Sequence, residues 1–315
     1  MSDQFKDEIV LEQLSLGEMR ANKKRVKEVL DYYWKFYSEL AGQRKNIQDE
    51  LLSILSRDAI GPVEEKDWQR ANKIKYSLHP LCVVGSLNSP TGGRFNISKK
   101  LNEINFPSFP ALYAAEDRET AEFELLCQDN SEAELSNYDF ALTKKQSISV
   151  SRISFKLDKC FDLRETKKLK RFVNKIKGFT ISPDLKKMAK QLGLDTPGMV
   201  TLPSQLKETL LTPDWRDWPM QFDVPANPQI FGQLLTAAGI QGILYPSKMT
   251  GRDTVAIFTR NFENSDSWVE YEDDLLVSAV PKKIGASNYG MAEMTPKQLG
   301  AKLLSEEAEE PGNLH

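Results

Sequence analysis

Apolar residues between Glu18 and Leu55 recur at spacings of three and four, which is the pattern of an amphipathic helix. The apolar stripe includes the aromatic stretch YYWKFY at residues 32–37. This spacing predicts one long helix or two, with a charged surface outside the stripe. An aromatic stripe at helical spacing usually packs within its own chain, and the alternative is that it receives a partner protein.

A break in this pattern falls at Gly61-Pro62, because proline cannot continue a helix. The stretch EEKDWQRANKIKY at residues 64–76 then resumes a short helical pattern. We therefore predict a helical N-terminal region over residues 1–77.

The chain beyond residue 77 consists mostly of short apolar or alternating runs of strand length. These runs are LHPLCVVG, ALYAA, SISVSRISFKL, GILYPS and TVAIFTR, with helical stretches LRETKKLKRFVNKIKGF and PDLKKMAKQLGL between them. Because strands and helices do not alternate regularly, residues 78–280 are predicted to form an α+β domain. Residues 281–315 are small and polar and finish in LLSEEAEEPGNLH, so we expect a flexible acidic tail.

Composition removes several classes of function. The formal net charge of −3 over 315 residues argues against a nucleic-acid partner or an anionic membrane, and no apolar run approaches the roughly 18 residues of a membrane span. The N-terminus carries early acidic residues and no apolar signal-peptide stretch, so we expect a cytoplasmic protein. Zinc and most histidine-based catalysis are disfavoured, because the candidate residues are only His79, His315 and three dispersed cysteines, Cys82, Cys127 and Cys160.

The first candidate for chemistry is Gly92-Gly93-Arg94-Phe95-Asn96. Glycines let the backbone come close to a ligand, and a guanidinium group offers a planar fork of donors that suits phosphate. An arginine after two glycines is also common in an ordinary surface turn, so this motif alone leaves both interpretations open.

The second candidate is the stretch ALYAAEDRETAEFE, residues 111–124. Its spacing predicts a strand that ends near Tyr113 and a helix capped by Asp117. On that helix Glu122 and Glu124 lie about 200° apart, so only one of them can face the sheet. Ala121 and Leu125 lie on the same face of the helix as Glu124, so we expect Glu124 to face the sheet and Glu122 to be an ordinary solvated charge.

The third candidate is Ser247, which follows the predicted strand Ile243 to Tyr245 directly after Pro246. Strand ends are common places for a site, although a serine after a proline is often only a turn residue.

In this order the three pieces resemble the RES domain family, over roughly residues 78–265. The resemblance rests on the glycine-Arg-aromatic-Asn motif, on LY followed eleven residues later by the glutamate of a Thr-Ala-x-x-Glu run, and on the GxxGIxYPS strand before an apolar AIF. In that register Arg94, Tyr113, Glu124 and Ser247 match the family's arginine, tyrosine, glutamate and serine.

This resemblance implies an ADP-ribosyltransferase-like fold with mixed or antiparallel sheets flanked by helices, and a toxin that breaks down NAD and is neutralised by an antitoxin protein. Glu124 would stabilise positive charge on the ribose, and Arg94 would hold the pyrophosphate or a neighbouring hydroxyl. Tyr113 would contact the nicotinamide ribose, Ser247 would orient Glu124 or the substrate, and Asn96 would hold the loop or the ligand. NAD would be a substrate, with no further cofactor and no metal.

The acceptor stays open at this stage, since water, inorganic phosphate or a macromolecule would each fit the same residues. Two alternatives to NAD breakdown therefore remain. One is transfer of ADP-ribose to a protein or nucleic acid, and the other is a catalytically inactive interaction module built on the N-terminal helices. A resemblance in fold does not by itself establish activity.

Overall fold

The computed structural model describes residues 16–101, 105–126, 148–274 and 280–309. The chain divides into two compact units. Of the described residues, the smaller unit contains those up to Asn46 and those of Gly178–Met199, and the larger contains those from Ile47 to Lys177 and those from Val200 onward.

Helices and strands alternate irregularly along the described residues. The helices are α1 Leu16–Asn46, α2 Gln48–Asp58, α3 Val84–Asn88, α4 Arg118–Leu126, α5 Lys170–Ile176, α6 Pro183–Leu192, α7 Pro203–Leu211, α8 Asp217–Phe222, α9 Asn227–Ala237 and α10 Pro296–Glu309. The strands are β1 Val63–Lys73, β2 Leu112–Ala115, β3 Ile148–Leu157, β4 Cys160–Asp162, β5 Gly242–Pro246, β6 Asp253–Ile257, β7 Trp268–Tyr271 and β8 Lys283–Ile284. Short 3₁₀ helices occupy Ile74–Tyr76, Thr166–Leu169, Pro213–Arg216, Thr259–Phe262 and Tyr289–Glu293.

In the smaller unit α1 packs against α6. The start of α6 follows from its sequence, because Ser182 caps the helix through Leu185 N at 3.3 Å and Pro183 occupies the first turn. The connection before α6 is held by α1, since Glu39 Oε1 accepts a hydrogen bond from Ser182 N at 2.6 Å. On α1 the aromatic residues Tyr32 and Phe36 are buried, which favours packing within the chain over an exposed partner surface.

The larger unit is built on one mixed sheet. Within the described residues its eight strands lie in the order β4-β5-β6-β2-β1-β3-β7-β8, and every neighbouring pair is antiparallel except β4 with β5. The predicted α+β class is therefore confirmed, and so is the helical region at the N-terminus, which consists of α1 and α2.

Alternation along the strands assigns the two faces of this sheet. One face packs a continuous apolar core, to which β2 contributes Leu112 and Ala114 and β5 contributes Leu244. Because successive side chains point to opposite faces, Tyr113 and Tyr245 lie on the other face. The helix α4 packs over β1, β2 and β3.

The predicted helix over residues 64–76 is wrong, because residues 64–73 belong to β1, which lies in the middle of the sheet, and only Ile74–Tyr76 form a short 3₁₀ helix. The buried positions of β1 alternate as Trp68, Arg70 and Asn72, and two of these three side chains are polar. A strand whose buried face carries an arginine and an asparagine does not show the apolar alternation by which strands are recognised.

The run LHPLCVVG is not a strand, contrary to the prediction. Its backbone makes turns, with Cys82 N donating to His79 O at 2.9 Å, and then pairs with the C-terminal segment through Val83 N and Ala292 O at 2.8 Å. The apolar side chains from Leu81 to Val84 are buried, whereas Leu78 is exposed, so the run has the composition of a core strand without the hydrogen-bond ladder.

The flexible tail predicted from residue 281 is also wrong for most of its length. Lys283–Ile284 forms the edge strand β8, and Ile284, Ala292 and Leu299 are fully buried. The acidic residues at the very end, 310–315, lie outside the described residues. None of the helices in the described part of the chain has both the length and the apolar character that a membrane span requires; the cytoplasmic location stays a prediction.

Candidate active site

The glycine loop before Arg94 is tightly packed. Gly92 has a φ of +89°, which an L-residue with a side chain rarely adopts. Gly93 leaves no space for a side chain, because a Cβ there would come within 2.4 Å of the Tyr113 hydroxyl. From α9, the buried amide of Gln229 donates to the carbonyls of Thr91 at 2.6 Å and Asn96 at 3.0 Å. Helix α9, which belongs to the same unit, therefore holds the glycine loop in position.

Asn96 lies at the centre of this loop and is fully buried. Its Oδ1 accepts hydrogen bonds from Gly93 N at 2.8 Å and from the Tyr113 hydroxyl at 2.9 Å. Its Nδ2 donates to the carbonyls of Ser86 at 3.1 Å and Phe109 at 3.2 Å. Because these contacts use both donors and both acceptor positions of the amide, they favour the loop-holding role for Asn96 over direct contact with a ligand.

Tyr113, on β2, is half-buried and is locked by two hydrogen bonds. Its hydroxyl donates to Asn96 and accepts from Phe95 N at 3.0 Å. Burial raises the pKa of Tyr113 well above its usual range, although the Phe95 amide, Arg94 and Arg216 lower it, and Glu124 raises it further. The hydroxyl is therefore protonated at neutral pH and acts as a donor, not as a base.

Arg94 follows the glycines and is half-buried. Its Nη1 donates to Thr212 O at 2.7 Å and Leu210 O at 3.3 Å, at the C-terminal end of α7. The last carbonyls of a helix lack partners within the helix, and the helix dipole favours a cation there. One edge of the guanidinium group is thus held by residues from the long segment between Glu124 and Gly239.

Glu124 and Ser247 meet directly although 123 positions separate them in the chain. Ser247 Oγ donates to Glu124 Oε1 at 2.6 Å and accepts from Met249 N at 3.2 Å, and the serine is only 2% exposed. Glu124 is half-buried, and its second carboxylate oxygen has no hydrogen-bond partner among the described residues. The serine orients the carboxylate and leaves one of its oxygens available.

The two glutamates of α4 have different partners, and it is Glu124, not Glu122, that contacts Ser247. Asp117 caps the helix as predicted, with Thr120 N donating to Asp117 Oδ1 at 2.8 Å. Glu122 is not the solvated charge that we expected, because its side chain is 16% exposed and its Oε1 accepts from Arg118 Nε at 2.6 Å. It nevertheless stays apart from Ser247, which contacts Glu124.

Tyr245 shows that these groups share one region. It lies on β5 two residues before Ser247, is buried, and makes an edge-to-face contact with Phe95 at 4.9 Å between ring centroids. Burial raises the pKa of Tyr245 well above its usual range, Glu124 and Tyr113 raise it further, and Arg94 lowers it. The structure thus brings Arg94, Tyr113 and Glu124 within electrostatic range of one tyrosine beside Ser247.

One protein-family model covers the stretch of the chain that contains these residues. The family model of the RES domain matches residues 68–275, which is more than half of the chain. The chain belongs to the RES domain family. The match begins inside β1, ten residues before the boundary expected from the sequence, and this agrees with the central place of β1 in the sheet of the RES domain.

No curated protein matches this RES-domain chain. Among solved structures, a chain of the M. tuberculosis MbcT-MbcA toxin-antitoxin complex resembles it with a TM-score of 0.40 and 14% sequence identity, covering 78% of this chain and 97% of that chain. A likeness at this distance carries no argument about the site.

Three residues that lie near the candidate site were not singled out from the sequence: Tyr245, Trp215 and Arg216. The last two lie in the 3₁₀ helix Pro213–Arg216, within the sequence PDWRDWP. Two tryptophans around one arginine were the available signal, but nothing in the spacing indicates that the segment returns to Arg94. In the described part of the chain, no group of three His, Cys, Asp or Glu side chains is arranged to hold a metal ion.

Proposed function

We propose that this RES-domain protein consumes NAD by cleaving the bond between nicotinamide and ribose, as a glycohydrolase or a phosphorylase. The observation that carries the proposal is the hydrogen bond from Ser247 to Glu124 at 2.6 Å, which fixes a carboxylate within electrostatic range of Tyr113, as Arg94 also is. Membership of the RES domain family supports the same chemistry.

The reaction needs little more than a well-placed negative charge. The C–N glycosidic bond breaks and its electron pair goes to the ring nitrogen of nicotinamide, which leaves as a neutral molecule. Positive charge then develops on the ribose, and a fixed carboxylate stabilises it electrostatically. Water or inorganic phosphate adds to the anomeric carbon and gives up a proton to solvent. Glu124 supplies the charge, and Ser247 keeps it oriented.

The remaining site residues bind and orient the substrate. Arg94 holds a phosphate or a neighbouring hydroxyl through the edge of its guanidinium group that α7 does not occupy. Tyr113 contacts the nicotinamide ribose through its neutral ring, because its hydroxyl proton is donated to Asn96, and this bond keeps Tyr113 and the glycine loop in place. We further propose that a cognate antitoxin protein neutralises the activity, as expected for the family.

The test is nicotinamide release from NAD by the purified protein, with and without inorganic phosphate. Glu124→Gln preserves the shape of the side chain and removes its charge, so it should abolish release. Glu122→Gln is the matched control, because it makes the same change two residues away on the same helix, where the side chain pairs with Arg118. This control should keep wild-type activity.

Dependence on phosphate would identify a phosphorylase, and release without phosphate a glycohydrolase. Transfer of label from adenylate-labelled NAD to a macromolecule would instead support ADP-ribosyl transfer. A folded wild-type protein that releases no nicotinamide under any of these conditions would contradict the proposal.

A further inference from the structure

A tryptophan and an arginine from the segment between Glu124 and Gly239 lie next to Arg94. Trp215 is buried, with 1% of its surface exposed. The guanidinium carbon of Arg94 lies 5.9 Å from the centroid of its ring, and that of Arg216 lies 4.5 Å from the same centroid. Both distances are within the range of cation–π attraction, so one aromatic ring positions two cations.

Arg94 and Arg216 also both exert an electrostatic effect on Tyr113. Both lower the pKa of the Tyr113 hydroxyl, which places each guanidinium group within electrostatic range of that residue. Arg216 is half-buried, so its charge is only partly screened by solvent. An anion bound beside both guanidinium groups would be attracted by two positive charges.

Because Arg94 is already bonded to backbone carbonyls, a second positively charged side chain would strengthen the binding of an anionic ligand. The Nη1 of Arg94 is taken by the carbonyls of Leu210 and Thr212, so a smaller part of its donor fork can reach a ligand. A diphosphate carries two anionic groups, and one guanidinium group binds one phosphate in the bidentate manner. A substrate with a diphosphate therefore needs another donor group on the same side of the site.

We propose that Arg216 is a substrate-binding residue that holds the diphosphate of a dinucleotide together with Arg94, and that Trp215 is the platform that positions both guanidinium groups. This inference rests on the proposed function for the identity of the dinucleotide. It gives the segment between Glu124 and Gly239 a specific task, which is to select substrates that carry a diphosphate.

Binding of ADP and of adenosine, measured by isothermal titration calorimetry, tests the proposal independently of catalysis. The variants are Arg216→Gln and Arg216→Met, both of which remove the charge, and Met retains an aliphatic stem over Trp215 should the Gln variant fail to fold. Arg57→Gln is the matched control, because Arg57 is an exposed arginine on α2. We expect the Arg216 variants to bind ADP about tenfold more weakly or worse, with adenosine affinity and melting temperature unchanged.

Equal ADP affinity in the wild type and the Arg216 variants would overturn the proposal. So would a wild-type protein that does not bind ADP, or an equal loss of ADP and adenosine affinity in the Arg216 variants, because a general distortion would then be the cause. A separate measurement isolates the proposed function: discrimination of ADP from adenosine that depends on Arg216, in a protein that releases no nicotinamide, would support the diphosphate site and refute NAD cleavage.

Discussion

Replacing Ser247 by alanine is the sharpest test of how this site uses its carboxylate. The hydroxyl is almost fully buried, with 2% exposure, and donates to Glu124 Oε1 at 2.6 Å. A hydrogen bond to a charged group contributes about 1.5 to 3 kcal/mol. If this contribution is expressed when positive charge develops on the ribose, kcat for nicotinamide release should fall by about 10- to 150-fold in Ser247→Ala. KM should change much less, because the ground-state contacts of the substrate remain.

The control for this change is Ser267→Ala. Ser267 is equally buried, at 2% exposure, and its hydroxyl accepts a hydrogen bond from Asp158 N at 2.9 Å. Losing that contact should lower the free energy of unfolding by about 1 kcal/mol and leave kcat unchanged. Steady-state kinetics and urea unfolding on both variants separate the two effects. A kcat for Ser247→Ala equal to that of Ser267→Ala would refute the reasoning that the serine orients the catalytic carboxylate.

Three further outcomes follow from contacts in the same domain. Gly93→Ala should reduce nicotinamide release strongly, because its Cβ would meet the Tyr113 hydroxyl at 2.4 Å, whereas Gly178→Ala, with no atom within 4 Å, should be silent in the same assay. Tyr113→Phe leaves Phe95 N without its acceptor and should lower the free energy of unfolding by about 1 to 3 kcal/mol in urea titrations; an unchanged midpoint would contradict this. Burial is the main cause that lowers the pKa of His79 to about 4, so the unfolded chain binds more protons between that value and its ordinary value near 6.5. Stability from this residue should therefore be complete above pH 6.5 and fall by about 3 kcal/mol as the pH drops to 4, and urea unfolding of His79→Gln over this range should show a flatter profile than the wild type.

The parts of the fold that the sequence predicted correctly are those with a clean period. The helices α1 and α2 follow from apolar spacings of three and four, and β2, β3, β5 and β6 follow from short apolar or alternating runs bounded by turn residues. The choice of Glu124 over Glu122 also followed from helix geometry, and Glu124 is the residue that contacts Ser247. In each case local periodicity was enough, because the packed face of the element is apolar.

The parts that could not be predicted depend on long-range contacts. Trp215 and Arg216 reach the site only because the chain after α7 is held to Arg94 through Thr212. The end of the chain is ordered by β8 pairing with β7, and a two-residue edge strand leaves almost no periodic signal. Such contacts are set by tertiary packing, which overrides the composition of a short segment.

The buried polar residues of β1 made this strand hard to recognise from the sequence, and they also support the candidate site. The guanidinium group of Arg70 is buried and donates to the carbonyls of Cys82 at 2.6 Å, Pro80 at 2.7 Å and Tyr113 at 3.1 Å. Burial lowers its pKa to about 10, so it still carries its charge at neutral pH. These charge-assisted bonds fasten the turn before α3 and the backbone of Tyr113 to the centre of the sheet. A hydrophobic residue at position 70 would remove a donor from three carbonyls, one of them on the tyrosine whose hydroxyl fixes the glycine loop. The Pro80 carbonyl would keep its bond from Asn72 Nδ2 at 2.9 Å. The polar character of β1 is therefore part of what holds the candidate active site in place.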